Sequence, residues 1–361
     1  MLPVLDSEGV LSMHDIATLV LAGGRGHRLR PLTAHRAKPV MPFAGRHLID
    51  FTLANCLRSG VRDVVVCVQY RAAEVAGYLE EQWAPRFRDL LLFSPTEAGR
   101  MFRGTADAVR AALGMVDGRR LLVLAGDHVY RMDYRRLLAD HEAAAADATI
   151  SVVPVPRREA PRLGVLTVRD GGLVEAFHEK TAAPPVAPGR PDECVGSMGI
   201  YLFERPTLAG FLADFPAAVD FGHHVLPGLV AGGVRVATHA YAAAEPHPYW
   251  RDIADVHSYH AALMDVADRR FDAGVPATAA TVEDGATVEH SVFGRGVRIG
   301  PGAAVVDSVL LDRAVVGAGA RLQRVVVEEG ASVPARARLG GAYEPVRVVP
   351  ESARVQSTSG V

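Results

Sequence analysis

Between Val282 and Leu339 apolar residues recur at Val282, Val288, Phe293, Ile299, Val305, Leu310, Val316, Leu322, Val327, Val333 and Leu339. The steps run six, five, six, six, five, six, six, five, six, six, so a full cycle takes seventeen residues and holds three short strands separated by glycine or small residues. This spacing describes a triangular parallel β-helix, in which each coil offers one inward residue per side and no coil buries enough surface to stand alone. A β-sandwich would need longer strands with turns every eight to twelve residues or so. The period leaves the hand of the solenoid open. Residues 346–361, rich in Val and Ser, read as a frayed tail.

The chain before Asp268 has a different texture. Thr18 to Ala22, Val64 to Val68, Leu121 to Leu124 and Thr149 to Val155 are short apolar runs of strand length. They alternate with amphipathic stretches at Asp50 to Leu57, Arg71 to Trp83, Asp107 to Met115 and Tyr134 to Ala146, which argues for a mostly parallel sheet covered on both faces. Ligands of such sheets bind beyond the carboxyl ends of the strands, and Gly23, Gln69, Asp127 and Ser197 are all expected near such an end. From Leu163 the turn Asp170-Gly171-Gly172 and the proline-rich loop Thr181 to Pro191 mark strands joined by turns; Arg235 to Tyr241 reads as an outer strand and Asp255 to Asp268 as a closing helix.

After the first strand, Gly23, Gly24 and Gly26 give a turn whose backbone N–H groups are able to face one anion, and Arg25, Arg28, Arg30 and Lys38 crowd the same segment. It is neither a Walker A loop, because no Gly-Lys-Ser/Thr closes it, nor a dinucleotide fingerprint, because Leu29 stands at the third glycine. Pro39-Val40-Met41-Pro42 should be extended, since each proline disfavours helical backbone in the residue before it. A formal net charge of −2 gives no global reason to expect nucleic acid or an anionic membrane, so phosphate must be gripped locally. Cys56, Cys67 and Cys194 are too few and too scattered for a disulfide framework or a thiolate metal site, which favours a reducing, cytoplasmic setting.

The stretch Ala17 to Pro42, with Phe102-Arg103-Gly104-Thr105-Ala106-Asp107-Ala108 and Leu124-Ala125-Gly126-Asp127-His128-Val129-Tyr130, resembles the sugar-1-phosphate nucleotidylyltransferases, and most closely the bacterial glucose-1-phosphate adenylyltransferases. The similarity runs from Ile16 to Leu339 in the same order. It implies an α/β fold, a Rossmann-like mixed-sheet nucleotidyltransferase domain at 16–268, followed after a short linker (269–280) by a left-handed parallel β-helix at 281–345; residues 1–15 would be a leader. The implied reaction joins ATP and glucose 1-phosphate into ADP-glucose and pyrophosphate for glycogen or related α-glucan synthesis.

The resemblance also implies roles. Arg25, Arg28 and Lys38 match the residues that grip the ATP phosphates, and Asp127 and Asp252, the latter in Tyr249-Trp250-Arg251-Asp252, match a pair that binds catalytic Mg²⁺. Leu21, Gly23, Gly24, Gln69, Gly104 and Thr105 match the nucleotide site, where Thr105 is expected to cap the following helix. Gly164, Glu179, Lys180 and Ser197 match the sugar-phosphate site, with Gly164 a close backbone approach. Two polyanions must meet, so catalysis should be charge neutralisation and in-line positioning without a protein nucleophile. The implied assembly is a homotetramer, with a hetero-oligomer containing a homologous subunit as an alternative and no nucleic-acid or membrane partner.

Departures from the family pattern lie beside these residues. His27, Phe102, Thr181, His223 and Ala254-Asp255 replace the usual Thr, Tyr, Pro, Lys and Gly-Thr, and Ser94-Pro95-Thr96-Glu97 stands in for a Gln-rich segment. His35 and His47 stand where activator-regulated members carry Lys and Arg, so a response to sugar bisphosphates is expected to be weak and to grow toward pH 6 as the imidazoles protonate. Two other readings stay open: a relative using a different nucleotide or sugar, and a weakly active regulatory subunit.

Overall fold

The structure is a computed structural model that describes residues 13–95, 101–274 and 280–351. Most of the expected leader, Thr96 and Glu97, five linker residues and the last ten residues of the tail lie outside the described residues. The chain forms two compact units. One holds Phe51–Gly126, Tyr130–Trp250 and the chain up to Gly24; the other holds Arg25–Asp50, Asp127–Val129 and the chain from Arg251 onward.

The first unit is built on a nine-stranded sheet: β1 (Ile16–Leu21), β2 (Asp63–Cys67), β3 (Asp89–Phe93), β4 (Arg120–Ala125), β5 (Ala148–Pro156), β6 (Gly164–Val168), β7 (Val174–Glu179), β8 (Glu193–Glu204) and β9 (Val236–Ala240). Their order is β7-β6-β8-β4-β1-β2-β3, with β5 pairing β8 and β9. β1, β2, β3 and β4 are parallel, and Leu21 is level with Cys67 on one side and Ala125 on the other. The carboxyl ends of β1, β2 and β4 therefore lie abreast, two residues before Gly23, Gln69 and Asp127 respectively. Leu19, Val109, Leu121, Val123, Ile150 and Phe203 are fully buried in the core that covers this sheet, as uninterrupted apolar strands require.

The sheet is mixed rather than mostly parallel. β8 runs antiparallel to β4, β5 and β6, and β7 antiparallel to β6, because the chain returns through turns here and needs no crossover helix. Ser197 is not at a strand end, as expected, but inside β8, where the pairing with β5 shifts register between Ser197 and Tyr201. All three cysteines are buried free thiols, and burial pushes the Cys67 thiol up to about 12.

In the second unit the predicted solenoid is present as three four-stranded parallel sheets. Thr281 pairs with Arg298, Arg298 with Val315 and Val315 with Ser332, a constant offset of seventeen residues. Ile299, Val305, Leu310, Val316, Leu322, Val327 and Val333 face inward and are buried, whereas Val282, on the first coil with no coil beyond it, is 46% exposed. The last rung breaks the period: Arg347–Val349, expected in the frayed tail, is a strand that pairs Val325 with Arg347, twenty-two residues on, and buries Val349. Ahead of the solenoid, helix Val256–Ala267 starts at a capping box formed by Asp255 and Ser258.

The segment 38–42 departs from its expectation. Lys38–Val40 is a 3₁₀ turn between extended Ala37 and Met41, so Lys38 takes a helical conformation directly before a proline. The turn is held at both ends, by Met41 N–H donating to the Lys38 carbonyl (3.1 Å) and by the Tyr259 hydroxyl donating to the Pro42 carbonyl (2.5 Å). Tertiary contacts outweigh the local preference stated for the pre-proline residue.

Candidate active site

In the second unit the glycine loop delivers Lys38. Gly26 adopts φ +63° at the start of a short 3₁₀ turn, and a Cβ there would lie 3.2 Å from the Lys38 Cβ and 3.0 Å from the Thr33 methyl. Only glycine tolerates both conditions. The Thr33 hydroxyl donates to the Gly26 carbonyl (2.7 Å) and closes the loop. Lys38, 8% exposed, donates from Nζ to Asp127 Oδ2 at 2.6 Å.

Asp127 follows β4, and its neighbour His128 opens a short strand, His128–Tyr130, that pairs with Trp250–Asp252. That pairing brings the second carboxylate in: His128 Nε2 lies 3.6 Å from Asp127 Oδ1 and 3.5 Å from Asp252 Oδ1. Burial works to raise the Asp127 carboxyl, but the Lys38 ammonium, then His128, overcome it and hold the group below the ordinary carboxylate range. It is therefore ionised at neutral pH. Arg251 turns away to Asp265 (2.8 Å), leaving Asp252 as the member of its strand that faces His128. Arg25 and Arg28 are exposed, and neither forms an ion pair among the described residues.

A divalent metal fits this donor set. Asp127 Oδ2 is taken by Lys38, while the Oδ1 atoms of both aspartates face one imidazole nitrogen; oxygen donors of this kind suit a hard divalent cation. Among the described residues no group of three His, Cys, Asp or Glu side chains is placed to hold a metal ion, so the donors from the chain are these two carboxylates.

The first unit carries the remaining residues. The Leu21 carbonyl accepts Gly126 N–H (2.9 Å), and Gly23 lies where a Cβ would sit 3.3 Å from that of Gln69. Gln69 Oε1 accepts the Phe102 N–H, and the Phe102 ring packs on Phe93, 5.6 Å between centroids. Gly24 is exposed. Thr105 does not cap the helix Thr105–Ala112 as expected: Gly104 is the N-cap, and the Thr105 hydroxyl instead donates to Asp220 Oδ2 (3.1 Å) and accepts Phe221 N–H (3.0 Å).

Glu179, at the end of β7, sits over Gly222, where a Cβ would fall 2.3 Å from its Oε2, and beside Gly164, where one would fall 3.0 Å from that oxygen and 2.4 Å from the Phe177 ring. The close approach expected of Gly164 is present. Lys180 leaves the strand with φ +48°, which folds its ammonium back onto Glu179 Oε1 although neighbours in a strand point apart. The Ser197 hydroxyl is buried and accepts Gly199 N–H (3.3 Å).

Two residues escaped the sequence reading. His128 lies inside a motif already singled out, but its position between two aspartates depends on pairing with a strand more than a hundred residues on. Asp220 is linked to Thr105 and to His223; burial acts to raise its carboxyl, yet hydrogen bonds from the His223 amide and ring and from Thr105 hold it low. Its signal was the Asp220-Phe221-Gly222 triplet. His47 corrects another expectation: burial lowers its imidazole despite Asp50, so it stays neutral further into acid than an ordinary histidine.

A nucleotidyl transferase family model matches residues 17–269, and a model of the GlmU-like C-terminal hexapeptide region matches residues 273–346. The chain is 35% identical to a glucose-1-phosphate adenylyltransferase of Paraburkholderia phytofirmans, covering 88% of each. It belongs to the nucleotidyl transferase family. It is also 33% identical to glucose-1-phosphate adenylyltransferase 2 of Vibrio cholerae, over 91% of this chain and 93% of the relative. For the enzyme of Nitrosospira multiformis the figures are 34%, 95% and 92%. The hexapeptide match gives the solenoid its class, the left-handed β-helix.

Proposed function

We infer that this nucleotidyl transferase is a glucose-1-phosphate adenylyltransferase, converting ATP and α-D-glucose 1-phosphate to ADP-glucose and pyrophosphate for α-glucan synthesis. The observation that carries the reading is the Lys38–Asp127–His128–Asp252 cluster, two carboxylates and a buried ammonium gathered from three distant parts of a chain that matches such enzymes over most of its length.

A phosphate oxygen of glucose 1-phosphate attacks the α-phosphorus of ATP; a new P–O bond forms as the bond to the bridging oxygen of pyrophosphate breaks, and negative charge moves onto pyrophosphate. The nucleophile is already ionised, so no base is required. Asp127 and Asp252 would hold Mg²⁺, which neutralises phosphate charge when bound. Lys38 keeps Asp127 ionised and oriented, and Arg25 and Arg28, exposed cations on the glycine loop, meet the charge that develops on pyrophosphate. Leu21, Gly23, Gly24, Gln69, Gly104 and Thr105 hold the nucleotide. Glu179 accepts sugar hydroxyls, Lys180 pairs with the sugar phosphate, and Gly164 and Ser197 shape the floor of that pocket.

The reading includes a catalytic domain at 16–268, a β-helix at 281–345, a cytoplasmic setting and a homotetramer. No helix among the described residues is long and apolar enough to cross a membrane. A panel of purified protein with ATP, GTP, UTP and dTTP against glucose, mannose and N-acetylglucosamine 1-phosphates decides it. ADP-glucose with stoichiometric pyrophosphate from ATP and glucose 1-phosphate alone is expected; preference for another pair, or no turnover with any, would overturn it.

A further inference from the structure

The turn that presents Lys38 is backed by a carboxylate from the β-helix. Glu329 lies at a corner of the solenoid, two residues past strand Val325–Val327. Its two oxygens go to two guanidinium groups: Oε1 accepts from Arg313 (2.5 Å) and Oε2 from Arg36 (2.5 Å). Arg36 is two residues before Lys38.

The seventeen-residue repeat explains why Glu329 is held ready. Arg295, Asp312 and Glu329 occupy the same place in successive coils. Asp312 uses its carboxylate inside the solenoid, accepting Arg295 N–H at 2.9 Å and Arg295 Nε at 3.0 Å. Glu329, one coil later, is oriented by Arg313 of the coil before it and turns its other oxygen outward to Arg36. Arg36 and Glu329 are 28% and 29% exposed at their side chains, so the pair is shielded well beyond an ordinary surface contact.

Lys38 takes a helical conformation before Pro39, which the local sequence disfavours, and that conformation needs support from outside the turn. On the far side the support is Tyr259 on the Pro42 carbonyl; on the near side it is Arg36 on Glu329. We propose that Glu329 is a positioning residue for the transfer reaction: acting through Arg36 it fixes the 3₁₀ turn that aims Lys38 at Asp127, so that an intact β-helix is required for a competent catalytic lysine. The catalytic part of this statement rests on the function inferred above.

The test uses the full chain and two readouts. In Glu329→Gln, which keeps size but removes the charge, kcat is expected to fall about tenfold with the KM for glucose 1-phosphate little changed, since small misplacements of a catalytic group cost up to ~100-fold. Exchange of the Val40 and Met41 amides, which donate within the turn, should quicken by a similar factor. Arg36→Gln should reproduce both effects from the other side of the pair, which covers the case in which a Glu329 variant folds poorly. The Glu329→Gln penalty on kcat should vanish in a Lys38→Ala background, a coupling that a merely structural residue would not show. Unchanged exchange, or a kcat penalty that persists in full without Lys38, overturns the proposal. Quickened exchange in Glu329→Gln, together with a wild-type chain that turns over no substrate, would instead remove the inferred reaction and leave the positioning contact standing.

Discussion

Two lysine–carboxylate pairs stand in the two units, and they are built differently. Lys38 pairs with Asp127 under cover, its side chain 10% exposed; Lys180 pairs with Glu179 in the open, 53% exposed. The first is a fixed charge couple between segments 89 residues apart, and it pulls the carboxyl below its ordinary range. The second joins adjacent residues through a backbone kink at Lys180. Burial makes a pair stiff and electrically strong; exposure leaves a lysine that exchanges its partner for an incoming phosphate at little cost.

The largest effect expected of this contrast is on Asp127→Asn, which should lower kcat by at least about a hundredfold. It should also lower the melting temperature, because it leaves a buried ammonium facing a neutral partner. Asp252→Asn should cost as much kcat with a nearly unchanged melt. Steady-state kinetics at saturating Mg²⁺ alongside calorimetry check both; an Asp127→Asn protein with wild-type kcat would break the comparison at its root. Next comes Lys180→Ala, which should raise the KM for glucose 1-phosphate about tenfold or more while leaving kcat, the KM for ATP and the melt close to wild type. Gly222→Ala should act in the same direction by displacing Glu179, whose carboxylate occupies the space of the new methyl.

The smallest effect is a pH dependence that separates the pairs. Because the folded Asp127 carboxyl titrates below its unfolded value, near 3.9, its contribution to stability is complete above that value and disappears as pH falls through the folded one. The melting difference between wild type and Asp127→Asn should therefore be full at pH 6 and shrink progressively as pH falls below about 4. A difference that does not change over that range would mean the pair is not the electrostatic couple described.

The parts of the fold legible in the sequence were those that repeat. The inward residues of the solenoid followed from their period, and they failed only where repetition ends: Val282 has no coil beyond it, and Arg347–Val349 arrives five residues late for its rung. Loops set by distant contacts were not legible. Two prolines argued for extended backbone at 39–42, and nothing local announces Tyr259 or Glu329 as the groups that hold the turn there. Local environments were less legible than the motifs that mark them: Thr105 joins Asp220 instead of capping its helix, and His128 became visible only when Trp250–Asp252 paired beside it. Charge partners far apart in sequence leave no periodic trace.

The chain passes between its two compact units five times, at Gly24/Arg25, Asp50/Phe51, Gly126/Asp127, Val129/Tyr130 and Trp250/Arg251. Neither unit is therefore an uninterrupted stretch of gene. On the ribosome Lys38 emerges early, waits for Asp127, and waits again for Asp252, so the charged centre assembles only after two thirds of the protein has been made. Recombination between relatives at a single point between residues 252 and 281 transplants a complete solenoid but parts Arg36 from the carboxylate with which it was inherited. Such chimaeras should fold more readily than they work.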